Sequence, residues 1–466
     1  MSTTATPALS RDQLEALAAR VLDAARRMGA DHADSVVESS RNFSVQVNDG
    51  TIETLKQSVT HGLGLRVFVN DAVGVVSTND LRPDRLEELA RRAVALARLS
   101  TPDPANGMPT ATEADTGADL DRATEATLGL MDTALLEWPT DAKIALAIEL
   151  ERAARGHDPR ITRCDHVGVG TWDGAWVLAS SHGLVRHERG TMASLGVVAL
   201  ADDGGGKQQS GSDGVRKRSL AELPAVEVLG RRAAARAVAR IGARPVPTAR
   251  VPVIMHPDIG AAWLSELSGA FSGEEVMKKS SWLTERLGVP IASPLVTLVD
   301  DGRLVGGVGT SRFDGEGFRT RRNVLIERGR CAMFVYDHYH ARRCETRSTA
   351  NATRSYGSVP GIGFNNLYIE AGSSTPEAIL AGVERGFYMD DQGSYGFNAV
   401  TGDYSFQAQG FWVENGAKQF PVEGVTVAST SLEMLRNVVA VGDDLVFDGS
   451  IACPTLLIGE MTVSGK

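Results

Sequence analysis

The sequence predicts an α+β protein built of two parts. Up to residue 246, helical periodicity and short β-like runs follow one another in the order helix, β-meander, helix, and this order occurs twice. Residues 247–466 instead carry apolar runs separated by Gly, Asp and Asn turns, with few helical stretches. We therefore expect an N-terminal helix–β-meander–helix domain (1–246) and a large, mostly antiparallel β domain (247–466) with decorating helices.

The first helix–meander–helix unit begins with a helix predicted from Asp12 to Met28, where apolar residues recur at helical spacing. Four short β-like runs follow between residues 35 and 69, and a further one ends at residue 77. Asn48-Asp49-Gly50 and Asn70-Asp71 predict hairpin turns between these runs. A second helix is predicted from Arg82 to Leu99.

The same order recurs after residues 101–118, whose Pro, Thr, Gly and Asp content predicts an exposed connection. A helix is predicted over Thr140–Gly156, and four β-like runs lie between residues 162 and 201. Asp202–Asp213 reads as a polar, Gly-rich loop, and Leu220–Ile241 as a helix. The recurrence indicates that the helix–meander–helix unit is duplicated in structure.

The second domain is expected to begin near Pro247, where a Pro-containing link meets the apolar run Val251–Met255. Further apolar runs predict a barrel-like or sandwiched sheet system. The convincing helices of this domain are Asp258–Leu267, Thr375–Val383 and Leu432–Asn437.

Charge excludes two classes of partner. The formal net charge is −10, so nucleic acid and anionic membranes are unfavourable partners. The local basic runs Arg216–Arg218 and Arg319–Arg322 are interpreted as solvated faces. No apolar run reaches the length of a membrane span.

Cysteine usage and the N-terminus predict a cytoplasmic location. Cys164, Cys331, Cys344 and Cys453 show no paired spacing, which favours buried thiols in a reducing compartment. The first residues lack the basic and apolar regions of a signal peptide.

The helix predicted after His256 is a plausible place for a metal site. A hydrolytic zinc site on a helix needs two nitrogen ligands one turn apart and a carboxylate to activate water. Here His256 precedes the helix, and the following turns offer only Ala, Leu, Ser and Gly. The sequence therefore predicts the helix, but the second nitrogen ligand and the carboxylate that a zinc site needs are missing.

A second set of metal-ligating residue types lies at His338, His340 and Cys344. On a strand, His338 and His340 would share one face, and the three side chains could contribute zinc ligands. The alternative is a polar surface cluster without metal.

Two loops rich in Gly, Asn and aromatic residues, 358–366 and 395–404, are candidates for lining a peptide cleft. Strands beside such loops can pair with an extended peptide backbone. The alternative is that they are turns between strands. The candidate cleft residues are Phe364, Asn365, Tyr395, Phe397, Asn398, Thr401 and Tyr404.

Several strings along nearly the whole chain resemble the TldD/PmbA family. They are Val47–Gly50, Gly62–Val67, Gly393–Ser405, Gly410–Gly416, Phe420–Glu423 and Arg436–Leu445. The resemblance implies two kinds of subunit: TldD-type chains bind zinc through a His-Glu-x-x-x-His helix and a late cysteine, and PmbA (TldE)-type chains lack these.

Placing that motif on this chain, the resemblance puts the first histidine at Leu264, the glutamate at Ser265 and the second histidine at Gly269. These residues can neither bind zinc tightly nor act as its base. His256 then belongs to the turn before the helix, and Cys453 reads as a buried thiol of the closing strand. We expect no cofactor in this chain, and zinc in the partner subunit.

The resemblance thus implies a pseudoenzyme subunit, inactive alone, in a heterodimeric zinc metalloprotease. It would pair with a TldD-like chain and complete the chamber in which unfolded or leader peptides are cut. The alternatives are a self-sufficient metallohydrolase using His338, His340 and Cys344, or a peptide-binding protein without a protease role.

Overall fold

The computed structural model describes residues 8–114, 123–393 and 396–465. Its helices are α1 (Arg11–Arg27), α2 (Pro83–Leu99), α3 (Ala123–Leu128), α4 (Thr133–Glu137), α5 (Thr140–Arg155), α6 (Val226–Ala239), α7 (Pro257–Ser268), α8 (Gly273–Met277), α9 (His338–Arg343), α10 (Pro376–Ala381) and α11 (Ser431–Arg436). Its strands are β1 (His32–Asn48), β2 (Thr51–Val69), β3 (Ala72–Thr78), β4 (Ile161–Ser180), β5 (Val185–Asp202), β6 (Gln208–Lys217), β7 (Ala249–Met255), β8 (Leu298–Asp301), β9 (Arg322–Glu327), β10 (Arg330–Cys331), β11 (Ala352–Thr353), β12 (Gly361–Ile362), β13 (Leu367–Ile369), β14 (Arg385–Gln392), β15 (Asp403–Glu414), β16 (Ala417–Thr430), β17 (Val438–Val441), β18 (Ile451–Ala452) and β19 (Leu456–Ser464).

The N-terminal domain contains one antiparallel sheet with the strand order β3-β2-β1-β4-β5-β6. The helices α1 and α2 pack on its first half, and α5 and α6 pack on its second half. Each half therefore has the order α-β-β-β-α, and the two halves meet at the β1–β4 pair. This symmetry confirms the duplicated helix–meander–helix unit.

The strands of this sheet are longer than the sequence indicates. The separate runs predicted between residues 35 and 69 are two continuous strands joined at Asp49 and Gly50, both of which have positive φ. The prediction of a loop over Asp202–Asp213 is wrong in its second half, where β6 pairs with β5. Because β6 is an edge strand with one neighbour, it tolerates the polar and Gly-rich sequence that reads as a loop.

The C-terminal domain is organised around a closed ring of strands, in the order β16-β15-β14-β7-β19 with β19 returning to β16. The β14–β7 pair is parallel, and the other pairs of the ring are antiparallel. Alternate residues of β15, such as Tyr404, Phe406 and Ala408, are buried, as the two-residue period of a strand requires. The predicted α+β class, with a mostly antiparallel β domain, is confirmed.

Helix α7 connects this ring to the rest of the core. His256 caps its N-terminus and Pro257 occupies its first turn, where a missing N–H costs no hydrogen bond. Trp263, Leu264 and Leu267 recur at helical spacing and are fully buried. The start of α7 is thereby fixed in place at the end of β7.

Buried charges join the two domains. Arg66 of β2 lies 2.5 Å from Asp34 of β1 and 3.3 Å from Glu316 of the second domain. Arg354, also from the second domain, lies 2.7 Å from Asp34. All four side chains are at most 7% exposed, so each charge depends on its partners rather than on water.

In the parts of the chain that the structure describes, no helix is both long and apolar enough to cross a membrane.

Candidate functional site

A cleft of about 830 Å³ lies at the N-terminus of α7, where the two domains face each other. Helix α6 and strand β6 form one wall, and the segments on either side of β18 form another. The lining residues with side chains that could take part in chemistry are Ser212, Asp213, Lys217, Glu222, Arg232, Arg236, His256, Asp258, Asp444, Asp448 and Cys453.

Both ring nitrogens of His256 face donors of this chain. Nδ1 accepts a hydrogen bond from the backbone N–H of Asp258 at 3.2 Å, as expected for a helix cap. Nε2 lies 3.4 Å from Nη2 of Arg236. Burial lowers the pKa of His256, so the ring is neutral at neutral pH.

Arg236 occupies the space beside this ring. It extends from α6 and pairs with the Asp258 carboxylate at 2.9 Å, and it also donates to the Ser212 carbonyl at 2.8 Å. The guanidinium thus places a fixed positive charge next to His256. A zinc ion at Nε2 would have to displace this charge and break the Asp258 pair.

Cys453 lies against the same helix. Its side chain is fully buried, and burial raises the pKa of its thiol far above the usual range. A Cβ atom at Gly260 would stand only 2.6 Å from Sγ of Cys453, so only glycine permits this contact. Asp444 is engaged elsewhere, accepting hydrogen bonds from the N–H and hydroxyl of Thr455 at 2.9 and 2.7 Å.

The residues present do not fit a zinc ion. A tetrahedral zinc site needs three or four converging nitrogen, sulfur or carboxylate ligands. Pro257 and Ala261, which line the cleft after His256, supply no ligand and no base. No group of three His, Cys, Asp or Glu side chains within the described ranges could hold a metal ion.

The positions predicted for the lost zinc motif do not line this cleft. Leu264 is fully buried in the core, whereas Ser265 and Gly269 are exposed. A Cβ at Gly269 would meet no atom within 4 Å. These three positions therefore do not share this cleft with Cys453, and their assignment stays a prediction.

The second candidate metal set lies on a helix, and the prediction of a strand there is wrong. Asp337 caps α9 by accepting from the His340 N–H at 2.7 Å, which starts a helix at His338. Residues two apart on a helix point about 200° apart. His338 and His340 therefore do not share a face, contrary to the strand expectation.

The environments of these side chains differ accordingly. Burial lowers the pKa of His338 to about 4. Burial acts to lower the pKa of His340, but the hydrogen bond of Nδ1 with Asp337 at 2.8 Å and the charges of Asp337 and Glu274 together raise it. Burial raises the pKa of Cys344. The three side chains act as local structural groups, in contact with different neighbours.

The predicted peptide-cleft residues fall into two places. Phe364 and Asn365 line a cavity of about 310 Å³ between the domains, together with Glu38, Trp176 and Arg354. This polar and aromatic lining is compatible with a peptide chain.

The other candidates lie near the start of β15. Phe397 and Tyr404 are buried in the barrel core. Asn398 and Thr401 are exposed and build a turn, in which Asn398 accepts from the Thr401 N–H and Thr401 donates to Asp403. Tyr395 lies outside the described residues. The interdomain cavity contains none of these turn residues.

Two basic runs were interpreted as solvated faces, and for Arg218 this is wrong. Arg218 is buried and donates to the carbonyls of Gly307, Val308 and Thr310. Arg319 and Arg321 lie beside a cavity. Sequence reasoning also missed Arg236, because nothing in a sequence shows that a residue 20 positions upstream faces His256.

These features define a two-domain scaffold with a helix-end cleft whose metal ligand set is incomplete. Three family models match consecutive parts of the chain: PmbA/TldA metallopeptidase domain 1 (residues 33–97), central domain (134–241) and C-terminal domain (248–465). Metalloprotease PmbA of Escherichia coli O157:H7 is 30% identical over 437 residues, which cover 94% of this chain and 93% of that protein. The chain belongs to the PmbA/TldD metallopeptidase family.

Further similarities extend over the full length. A Metalloprotease TldD homolog of Haemophilus influenzae is 25% identical over 475 residues, covering 96% of this chain and 95% of its own. A crystal structure titled a putative modulator of DNA gyrase, from Bacteroides thetaiotaomicron, matches with a TM-score of 0.88 and 25% identity, covering 98% of this chain and 100% of its own. TldE from Thermococcus kodakarensis matches in fold with a TM-score of 0.84 and 24% identity, covering 96% of this chain and 99% of its own.

Proposed function

We propose that this chain is the non-catalytic subunit of a two-chain zinc metallopeptidase and that its partner, a TldD-like subunit, carries the zinc. The observation that carries the proposal is the cleft at α7, where Arg236 stands beside His256 and pairs with Asp258. A family scaffold is therefore combined with a cleft in which the guanidinium of Arg236 lies beside the His256 ring, where a zinc ion would have to bind.

We also infer where the lost centre lies. If the motif His-Glu-x-x-x-His began at His256, its glutamate would fall at Pro257 and its second histidine at Ala261. His256 and Ala261 line one cleft with Cys453, as the two histidines and the late cysteine of a zinc-binding relative would need to do. This assignment is an alternative to Leu264, Ser265 and Gly269, and it leaves one potential nitrogen ligand, no base and one sulfur.

The family suggests both the partner and the substrate class that we propose. Relatives named TldD and TldE match nearly the whole chain, which supports pairing between the two kinds of subunit. The substrate would be an unfolded or leader peptide, held in extended form in a chamber that both chains enclose. No cofactor is required of this chain, and the cytoplasmic location predicted from its cysteines belongs to the same proposal.

Co-expression with a TldD-like subunit tests the proposal. Size-exclusion chromatography with mass measurement should show a mixed complex, and only that complex should cleave an unfolded peptide. The chain alone should hold less than one equivalent of zinc and show no cleavage.

Two results would contradict the proposal. Tight stoichiometric zinc with peptidase activity in the isolated chain would make it a self-sufficient hydrolase. Peptide binding without any mixed complex would make it a peptide-binding protein with no protease role.

A further inference from the structure

A second large cavity, of about 790 Å³, lies between the loop before β9 and helix α9. Five arginines line it, whereas Glu113 is the single carboxylate among its described lining residues. The arginines are Arg303, Arg319, Arg321, Arg342 and Arg347. This concentration of positive charge contrasts with the formal net charge of −10 for the whole chain.

The arginine charges are not neutralised within the described chain. Arg303, Arg319 and Arg347 form no ion pair with any residue that the structure describes. Arg321 and Arg342 donate only to backbone carbonyls, of Ser348 and of Pro104 and Asn106. Carbonyl groups orient a guanidinium but leave its charge in place.

Arg303 shows the cost of this arrangement. Its Nη1 is buried and has no hydrogen-bond partner among the residues that the structure describes. Burial lowers the pKa of Arg303, and the neighbouring charge of Arg319 lowers it further. Arg303 itself is half-buried, but a buried guanidinium nitrogen without a partner is unfavourable, and an anion entering the cavity would relieve it.

Glu113 does not fill that role. It accepts hydrogen bonds from the N–H and hydroxyl of Thr110, both at 2.8 Å, and so completes a local turn. Its charge offsets part of the field of Arg342, which acts on it electrostatically. The remaining excess of positive charge is focused in the cavity, because low-dielectric walls concentrate field lines.

The size of the cavity indicates a ligand larger than a single ion. A water molecule occupies about 30 Å³ of liquid, so the cavity holds far more than one small anion. Phe318 and Ala341 add buried apolar surface to the wall. Arginines spread around such a space suit several carboxylates on one extended ligand, each held by a planar guanidinium fork.

We propose that this cavity binds acidic side chains of the peptide substrate and so gives the complex a preference for acidic segments. The proposal rests on the proposed function, in which an extended peptide is the substrate. Glutamate- and aspartate-rich peptides are the predicted ligand class, and neutral peptides of equal length should bind weakly.

The test uses the isolated full chain and a fluorescently labelled peptide in which glutamates alternate with glycines. Its matched control peptide carries glutamine in place of glutamate. Fluorescence anisotropy should show binding of the acidic peptide, weakened by added salt because the contacts are ionic. The double variant R319Q/R347Q changes two exposed arginines and should bind about tenfold more weakly.

The control variant R20Q/R92Q removes the same charge from exposed positions on α1 and α2 and should bind like the unmodified chain. Equal losses in both variants, or equal binding of both peptides, would overturn the proposal. Tighter binding of a single-stranded oligonucleotide than of the acidic peptide would also overturn it. Because binding is measured without the partner, these failures are distinct from a failure of the mixed complex to form or to cleave.

Discussion

The arginines at the domain interface and those around the large cavity are held in opposite ways. Arg66 is buried between Asp34 and Glu316, and each charge is met by another within the chain. Arg319 and Arg347 have no such partner in the described chain. Charges that are paired internally stabilise the fold, whereas unpaired ones remain available to a ligand.

At the α7 cleft, as at the domain interface, the charged and polar side chains have partners within the chain. Arg236 pairs with Asp258, and both nitrogens of His256 face donors of the chain. These side chains lie where a metal could be held, and they make structural contacts with one another instead. The capacity to bind something charged lies instead in the arginine-lined cavity.

The largest effect is expected from rebuilding a ligand set at the cleft. In a variant R236A/P257E/A261H, His256, the new histidine and Cys453 could converge, and the new glutamate could act as base. Structural zinc sites contribute on the order of 10 kcal/mol in binding, so the variant should hold close to one equivalent of zinc after dialysis. Elemental analysis measures this directly.

The matched control for that variant is L264H/S265E/G269H, which builds the same motif at the positions that do not line the cleft. It should hold no more zinc than the unmodified chain. If it retained zinc and the first variant did not, the lost centre would lie at Leu264, Ser265 and Gly269 after all.

The next largest effect concerns the paired side of the comparison. Replacing Arg66 by Met leaves Glu316 buried without its arginine, which should lower the free energy of unfolding by about 3–5 kcal/mol. Replacing the exposed Arg319 by Met should change it by about 0.5 kcal/mol or less. Urea unfolding of both variants compares them, and similar losses would abolish the distinction between paired and unpaired arginines.

A smaller effect is expected where Cys453 meets α7. A methyl group at Gly260 would overlap Sγ and Cβ of Cys453, so G260A should destabilise the chain by about 1–3 kcal/mol. G269A is the control, because open space surrounds that position. Adding C453A to G260A removes Sγ but leaves Cβ, so it should recover part of the loss, and no recovery would show that the contact with Sγ is unimportant.

The last effect is a pH dependence at the interface, which develops gradually over several pH units. Burial, together with the nearby charge of Glu316, raises the pKa of Asp314 from its usual 3.8 to about 7. Between these values the folded chain holds a proton that the unfolded chain has lost, so the free energy of unfolding falls as pH rises. The fall is at most about 1.4 kcal/mol per pH unit for one proton.

The variant D314N lacks this titration. Relative to D314N, the unmodified chain should therefore lose stability from about pH 4 to about pH 7 in urea unfolding. A constant difference between the two over this range would show that Asp314 is ionised throughout.

Much of the fold was accessible from sequence because local patterns determine it. Helix α7 was predicted from its apolar spacing and Pro257, and the first hairpin from Asn48-Asp49-Gly50. The polar strand β6 was missed because its pairing with β5, rather than its own residues, makes it a strand. Propensity alone cannot show an edge strand that is stabilised by a neighbour.

The candidate site was less accessible. Motif spacing predicts that a zinc ligand set is missing, but the position of Cys453 against Gly260 is a tertiary contact that no spacing shows. Arg303 and Arg319 are far in sequence from Arg342 and Arg347. Only folding places all four around one cavity. For that reason a basic run that reads as a solvated face proved to line a candidate binding site.

The central claim is that catalysis lies in the partner subunit, and one measurement tests it most directly. The mixed complex is assembled with a partner whose motif glutamate is replaced by glutamine, and peptide cleavage is compared with that of the unmodified complex. The account predicts that cleavage is lost while the complex still forms. Cleavage that persists at the unmodified rate would place the active site in this chain and contradict the account.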